Sequence, residues 1–198
     1  AGRRGKTTTT DYCDVCDPLV FSSAVMTGAM KANLQDHAAL FNDLKNKDRM
    51  PAVAFVIPPR SGSGRPGYAA IARFEGFLHR LIDAVQANKA LWQETAIIVT
   101  AADAGGYYDS GYIQILDALG DGPRVSLLVV SPFARKGRID HTYTDHAAIL
   151  KFIEGNWSLG PLSLRSRDRL PAPKANLNDP YVPGNRPAIG DLLGLIKF

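Results

Sequence analysis

Ala52-Val53-Ala54-Phe55-Val56-Ile57 is apolar at every position and stops at Pro58-Pro59. A strand with one face in water alternates apolar and polar residues, so an unbroken apolar run of this length predicts a strand buried on both faces. Beyond a breaker-rich loop, Ile71, Phe74, Phe77, Leu78, Leu81, Ile82 and Val85 recur at three- and four-residue spacing. That spacing predicts one apolar stripe along a helix of about 20 residues ending near Asn88. A second apolar run, Ala96-Ile97-Ile98-Val99-Thr100, follows it. A strand, helix and strand in succession predict a right-handed parallel crossover. Val125-Ser126-Leu127-Leu128-Val129-Val130, closed by Ser131-Pro132, is read as a third buried strand.

The flanking segments complete an α/β pattern. Met30, Leu34, Ala38, Leu40, Phe41 and Leu44 predict a helix within residues 26–44, before Pro51. Thr144 is placed to cap a helix running to about Asn156, with Ala147, Ile149, Leu150, Phe152 and Ile153 as its buried face. Residues 101–124 are rich in Gly, Tyr and Asp, have no period, and are read as a long functional loop. After Trp157 a Pro- and Arg-rich stretch runs to Pro187, and residues 189–196 are read as a short closing helix. The fold class expected is α/β, a mainly parallel sheet with helices on both faces. Residues 1–10, polar after Ala1, are expected to be a flexible tail, and residues 11–198 a single domain.

Composition narrows the function. The 198 residues are 45% hydrophobic and 21% charged, with 18 Gly and 13 Pro, which excludes collagen, coiled coil and a disordered chain. The net charge of +4 is small, and the clusters at Arg3, Arg4 and Lys6 and at Arg135, Lys136 and Arg138 lack interleaved aromatics. No nucleic-acid partner is therefore expected. No stretch approaches the roughly 20 apolar residues of a transmembrane helix. The two cysteines, Cys13 and Cys16, are too few for a four-thiolate zinc site and are read as a local disulfide or as two reduced loop thiols.

In parallel α/β sheets ligands bind beyond the carboxyl ends of the strands, and three segments converge there. The first carries Arg60 and Arg65, guanidinium groups suited to phosphate or carboxylate. In the second, Asp103 stands just past a buried strand, before Gly105-Gly106, Tyr107 and Tyr108. Asp103 is a candidate for a hard cation or a phosphate-facing position; equally, Asp103 or Asp109 can cap a turn. The third, Asp140-His141-Thr142-Tyr143-Thr144-Asp145-His146, places His146 in the first turn of a helix, where it could ligate metal or contact an anionic ester. His79 falls on the polar side of the long helix and His37 between apolar turns, positions of structural histidines.

The runs DYCDVCDP, PAVAFVIPPRSGSGRPGY, TAIIVTAADAGGYYDSGYIQ, GPRVSLLVVSPFARKG and DHTYTDHAAILKFIEGNW resemble the carboxyl-terminal half of the bacterial phosphoesterase family that includes phospholipases C and acid phosphatases, in the alkaline-phosphatase-like superfamily. The resemblance extends from about Asp11 to Pro187. It implies an exported phosphoester hydrolase, secreted or periplasmic, with a divalent metal, a hydroxyl nucleophile and a phosphoryl-enzyme intermediate. Its substrate would be a phosphoester small molecule or a phospholipid headgroup. Asp103 then falls at a metal position, His146 and Arg65 at catalytic positions, and Arg60, Tyr107 and Tyr108 beside substrate.

The departures from the family pattern shape the expectation. Where the family has Phe-Asp-Glu-Gly-Gly-Gly, this chain has Ala101-Ala102-Asp103-Ala104-Gly105-Gly106, so one acid of the pair is Ala102. Where the family commonly has Gly-His-Pro, this chain has Gly64-Arg65-Pro66, and arginine cannot exchange a proton near neutral pH. The resemblance further implies that the acidic-amide metal pair and the Ser or Thr nucleophile are supplied by an upstream, amino-terminal part of the family pattern, which the residues given are not expected to contain. The expectation is a family member with an incomplete site, inactive by itself, paired with a missing amino-terminal segment or with a second copy through an open sheet edge. Two alternatives stand beside it: a working phosphoesterase using Asp103, His146 and a substitute hydroxyl such as Thr100 or Ser131, or a non-catalytic phosphate-binding or subunit-interaction module.

Overall fold

A computed structural model describes residues 11–13, 16–67 and 71–197. The chain divides into two compact units, Ala1–Thr95 and Ala96–Phe198. The tail expected over residues 1–10 lies outside the described residues. No helix among the described residues is long and apolar enough to cross a membrane.

The first unit is helical. Short elements α1 (Ser23–Thr27) and α2 (His37–Asp43) flank a 3-10 turn, Ala29–Asn33, and are followed by the long α3 (Ile71–Ala87) and by α4 (Lys89–Trp92). The single helix expected over residues 26–44 is thus broken into pieces. The cause is local: the Ser22 and Asp36 side chains accept the Val25 and Ala39 N–H groups, each starting a new helix, while Gly28 between them is fully extended. α3 forms as the apolar spacing predicts and buries Phe77, Leu81 and Val85 with Leu44 and Leu91. The His37 ring lies 5.0 Å from that of Phe77, and Asn88 ties α4 back by donating to the Leu44 carbonyl at 3.0 Å. Cys13 and Cys16 form a disulfide, the first of the two readings their spacing allowed.

Residues 52–57 form no strand, contrary to expectation. Phe55 is 74% exposed and the Ile57 carbonyl bonds the His37 ring at 2.8 Å, a side chain rather than a neighbouring strand. An apolar run becomes a strand only where a partner meets its backbone groups, and none of the described residues does so here.

In the second unit β1 (Ile97–Thr100) and β2 (Leu127–Val130) pair antiparallel, Ile97 opposite Val130 and Thr100 opposite Leu127. The two form the only sheet among the described residues. The parallel sheet with helices on both faces is therefore not formed by them. Parallel pairing needs a crossover, and residues 101–126 between the strands contain no helix. What stands is a mixed helix and small-sheet structure, compatible with the α/β class.

α5 (Ala147–Trp157) is where periodicity put it, with one correction to its start. The Ala147 N–H donates to Asp145 Oδ1 at 2.8 Å, so Asp145 rather than Thr144 satisfies the helix end. The closing segment shortens to the 3-10 turn Leu193–Leu195, because Ile196 instead bridges Ala134 and Lys197 N donates to the Phe133 carbonyl. Ala148, Ala188, Ile189, Leu192 and Ile196 make the core of this unit.

Candidate functional site

Asp103 follows β1 by three residues, in an exposed turn. Its Oδ1 accepts the Gly105 N–H at 2.7 Å, and Gly105 and Gly106 both take positive φ, which residues with a side chain resist. The turn-capping role left open by the sequence is thus realised for one of its oxygens. Tyr107 and Tyr108, on the same loop, are 67% and 93% exposed and touch no core.

His146 is the residue the fold brings to this loop. At the start of α5, it places Nε2 2.8 Å from the Ala101 carbonyl at the end of β1, two residues before Asp103. A carbonyl only accepts, so Nε2 carries the proton and a neutral ring presents Nδ1 as its acceptor. The other three histidines are tied elsewhere: His37 to the Ile57 carbonyl, His79 to Asp83 at 2.8 Å, and His141 edge-on to Tyr181 at 5.3 Å.

The substitute hydroxyls are engaged in backbone bonds. Thr100 Oγ1 donates to the Ser126 carbonyl at 3.0 Å, and Ser131 Oγ accepts from the Phe133 N–H at 3.2 Å. Neither pairs with His146. Arg60 and Arg65 belong to the first unit. Arg60 opens a 3-10 turn whose backbone is held by Asp11, through Arg60 N to the Asp11 carbonyl and Ser61 N to Asp11 Oδ1, while Arg65 is exposed.

A divalent cation needs several hard oxygen or imidazole ligands. Among the described residues no group of three or more His, Cys, Asp or Glu is placed to hold one. Asp103 has one oxygen committed to Gly105, and Ala102 offers no side-chain ligand. The residues described do not fit a metal by themselves.

The strongest polar structure in the second unit is one the sequence reading passed over. Arg167 donates to Asp117 at 2.7 Å, to Asp145 at 3.2 Å and to the Gly120 carbonyl, with Asp121 at 3.5 Å. Asp121 in turn accepts the Tyr143 hydroxyl at 2.9 Å, and that hydroxyl accepts the N–H of the buried Gln114. Hydrogen bonds from Arg167 hold the Asp117 carboxyl below its ordinary range, and burial, reinforced by Asp121, pushes the Tyr143 phenol up to about 12. Asp109, the other turn-cap candidate, is gripped by Arg124 through backbone and guanidinium and lies well below the usual carboxylate range. These groups position the 109–124 loop against the start of α5, and so fix the setting of His146.

A profile of the Phosphoesterase family matches residues 3–160. The non-hemolytic phospholipase C of Burkholderia pseudomallei is 26% identical over 185 residues, 80% of this chain and 24% of that protein. The hemolytic phospholipase C of Pseudomonas aeruginosa is 21% identical over 174 residues, covering 77% and 21%. A probable acid phosphatase of Kluyveromyces lactis is 25% identical over 169 residues, covering 82% and 36%. The chain spans about a fifth to a third of the length of these curated relatives. The match runs through the β1 loop with Asp103, β2, His146 and all of α5, and the chain belongs to the Phosphoesterase family.

Proposed function

We propose that this chain is a phosphoesterase-family segment that does not hydrolyse phosphoesters by itself, and that Asp103 and His146 are its contribution to a phosphoryl site completed by groups the described residues do not supply. The observation that carries this reading is the bond from His146 Nε2 to the Ala101 carbonyl. It anchors the imidazole at the strand end beside the Asp103 loop, yet among the described residues no hydroxyl is hydrogen-bonded to it, and a nucleophile without a base is weak. Within the first unit Arg65 and Arg60 carry guanidinium groups of a kind that binds phosphate, and within the second Tyr107 and Tyr108 are exposed enough to meet a substrate. The substrate class is a phosphomonoester or a phospholipid headgroup, in keeping with the phospholipases C and the acid phosphatase among the relatives. The complete fold is an alkaline-phosphatase-like single domain, in which residues 52–57 would become a buried strand once a neighbour pairs with them. The Cys13–Cys16 disulfide supports an oxidising, secreted or periplasmic setting.

The test is turnover of a phosphomonoester and of a phosphodiester by the purified chain with Mn, Mg, Ca or Zn added. No hydrolysis above buffer is expected. Turnover that disappears in both Asp103→Asn and His146→Gln overturns the reading in favour of a working enzyme. Phosphate protection against thermal unfolding, lost in Arg65→Ala and untouched by chelator, would instead favour a binding module.

A further inference from the structure

Away from the Asp103 loop, two carboxyls stand close together on α5 and the turn that follows it. Glu154 projects from the last half of α5 and Asp168 from the single turn Arg167–Arg169, their side chains within hydrogen-bonding reach of each other. Asp168 is 4% exposed. Its Oδ2 accepts the Leu162 N–H at 3.0 Å, but its Oδ1 and Glu154 Oε1 are both buried and meet no donor. Two ionised carboxylates so placed would set acceptor against acceptor and charge against like charge, out of water. One proton removes both defects, since it makes a donor of one oxygen and leaves the other to accept.

No group among the described residues donates to those two oxygens. Lys151, one turn earlier on α5, spends its ammonium on the Leu170 and Ile189 carbonyls at 2.7 and 2.8 Å. Arg169 donates to the Leu164 carbonyl at 3.2 Å, and Arg167 is engaged by Asp117, Asp121 and Asp145. Ser166 supports Asp168, while Asp191, Glu154, Asp145 and Asp168 all act on Lys151; the Leu162 N–H and the Lys151 charge oppose a proton on Glu154, but burial and Asp168 outweigh them.

We propose that Glu154 and Asp168 share one proton in the folded chain, and that this bond latches residues 162–169 to α5, making the second unit sensitive to pH. This latch stands apart from the phosphoesterase reading and does not depend on it. The proton resides on Glu154, whose carboxyl is pushed up by burial and then by Asp168. Asp168 stays ionised: burial opposes that, but the bonds from Ser166, Leu162 and Glu154 together outweigh it and hold it down. Folding therefore takes up a proton at Glu154. The stability it brings is complete below the ordinary glutamate range and is lost as the pH rises through the folded value. Release would loosen the turn that carries Arg167, and with it the hold on Asp117 and Asp145.

The experiment compares thermal unfolding of the full chain with that of Glu154→Gln, from about pH 5 to about pH 8, across the range where a raised glutamate ionises. Glutamine keeps the shape and offers Asp168 a permanent donor. Wild type should lose melting temperature relative to the variant as pH rises; parallel curves would overturn the latch. In parallel, the infrared spectrum of wild type at about pH 6, above the ordinary carboxyl range, should keep the carbonyl stretch of a protonated carboxylic acid. This reading needs no variant, and absence of the band also overturns the proposal. If millimolar Ca, Mg or Mn abolishes the band and raises the melting temperature saturably, the pair is a cation site and the shared proton is wrong.

Discussion

Arg167 Nη1 lies 3.2 Å from Asp145 Oδ2, and the other oxygen of that same carboxylate accepts the first N–H of α5. One side chain thus caps the helix that carries His146 and is itself held by a guanidinium that also binds Asp117 and the Gly120 carbonyl. A planar fork can satisfy several acceptors at once, which a lysine cannot.

Arg167→Ala should therefore destabilise the second unit by about 2 kcal/mol. That is below the 3–5 kcal/mol of a wholly buried broken pair, because water screens the partly exposed Asp117. Arg167→Lys should recover less than half of the loss. Urea denaturation measures both, and an Arg167→Ala midpoint equal to wild type would show that the three carboxylates do not need their common partner.

Gln114 is 1% exposed and closes a two-way bond with Ala188: its Nε2 donates to the Ala188 carbonyl at 2.9 Å and its Oε1 accepts the Ala188 N–H at 2.8 Å. Gln114→Ala removes volume and strands both backbone groups, so a loss of about 3 kcal/mol is expected. Gln114→Leu restores the volume and strands the same two groups. It should remain at least about 1 kcal/mol below wild type. If denaturation places the Leu variant level with wild type, packing alone accounts for the site.

α3 and α5 were legible in the sequence because helical packing repeats every three or four residues and needs no distant partner. That residues 52–57 form no strand was not, because a strand depends on backbone groups elsewhere, and Ile57 found a histidine instead. Asp103 and His146 were readable as a strand-end acid and a helix-start imidazole. That His146 reaches the Ala101 carbonyl, two residues before Asp103, follows from placing α5 beside β1. Arg167 gave no signal: Arg165, Arg167 and Arg169 look alike in a polar stretch, and only the fold turns one of them toward carboxylates some fifty residues earlier.

Acid should weaken the second unit through Asp109 and Asp117. Both carboxyls are held down in the folded chain, Asp109 first by the Arg124 guanidinium and Asp117 first by Arg167. A depressed carboxyl contributes stability that is present above its unfolded value and is lost as the pH falls through the folded one, so the window lies below about pH 4. Arg124→Gln should return the Asp109 carboxyl toward the ordinary range in a carbon-detected NMR titration and leave Asp117 where it was. An unchanged Asp109 titration would mean that the two backbone N–H groups, that of residue 124 at 2.8 Å and that of Gly111 at 2.9 Å, suffice to hold it.

At the alkaline end the expected reporter is Tyr143, one of seven tyrosines. Its phenol is pushed up to about 12, chiefly by burial, and the Asp121 carboxylate that accepts its proton opposes ionisation further. A phenol kept protonated in the folded chain contributes stability that is full below about pH 10 and disappears as the pH climbs through the folded value. Ultraviolet titration of the native chain should therefore show one late phenolate step that Tyr143→Phe removes. The same variant leaves Asp121 and the Gln114 N–H without their shared hydroxyl, so it should unfold about 1–2 kcal/mol more easily at neutral pH. If the late step survives in Tyr143→Phe, another tyrosine carries it, and the chain from Gln114 through Tyr143 to Asp121 is not what resists alkali.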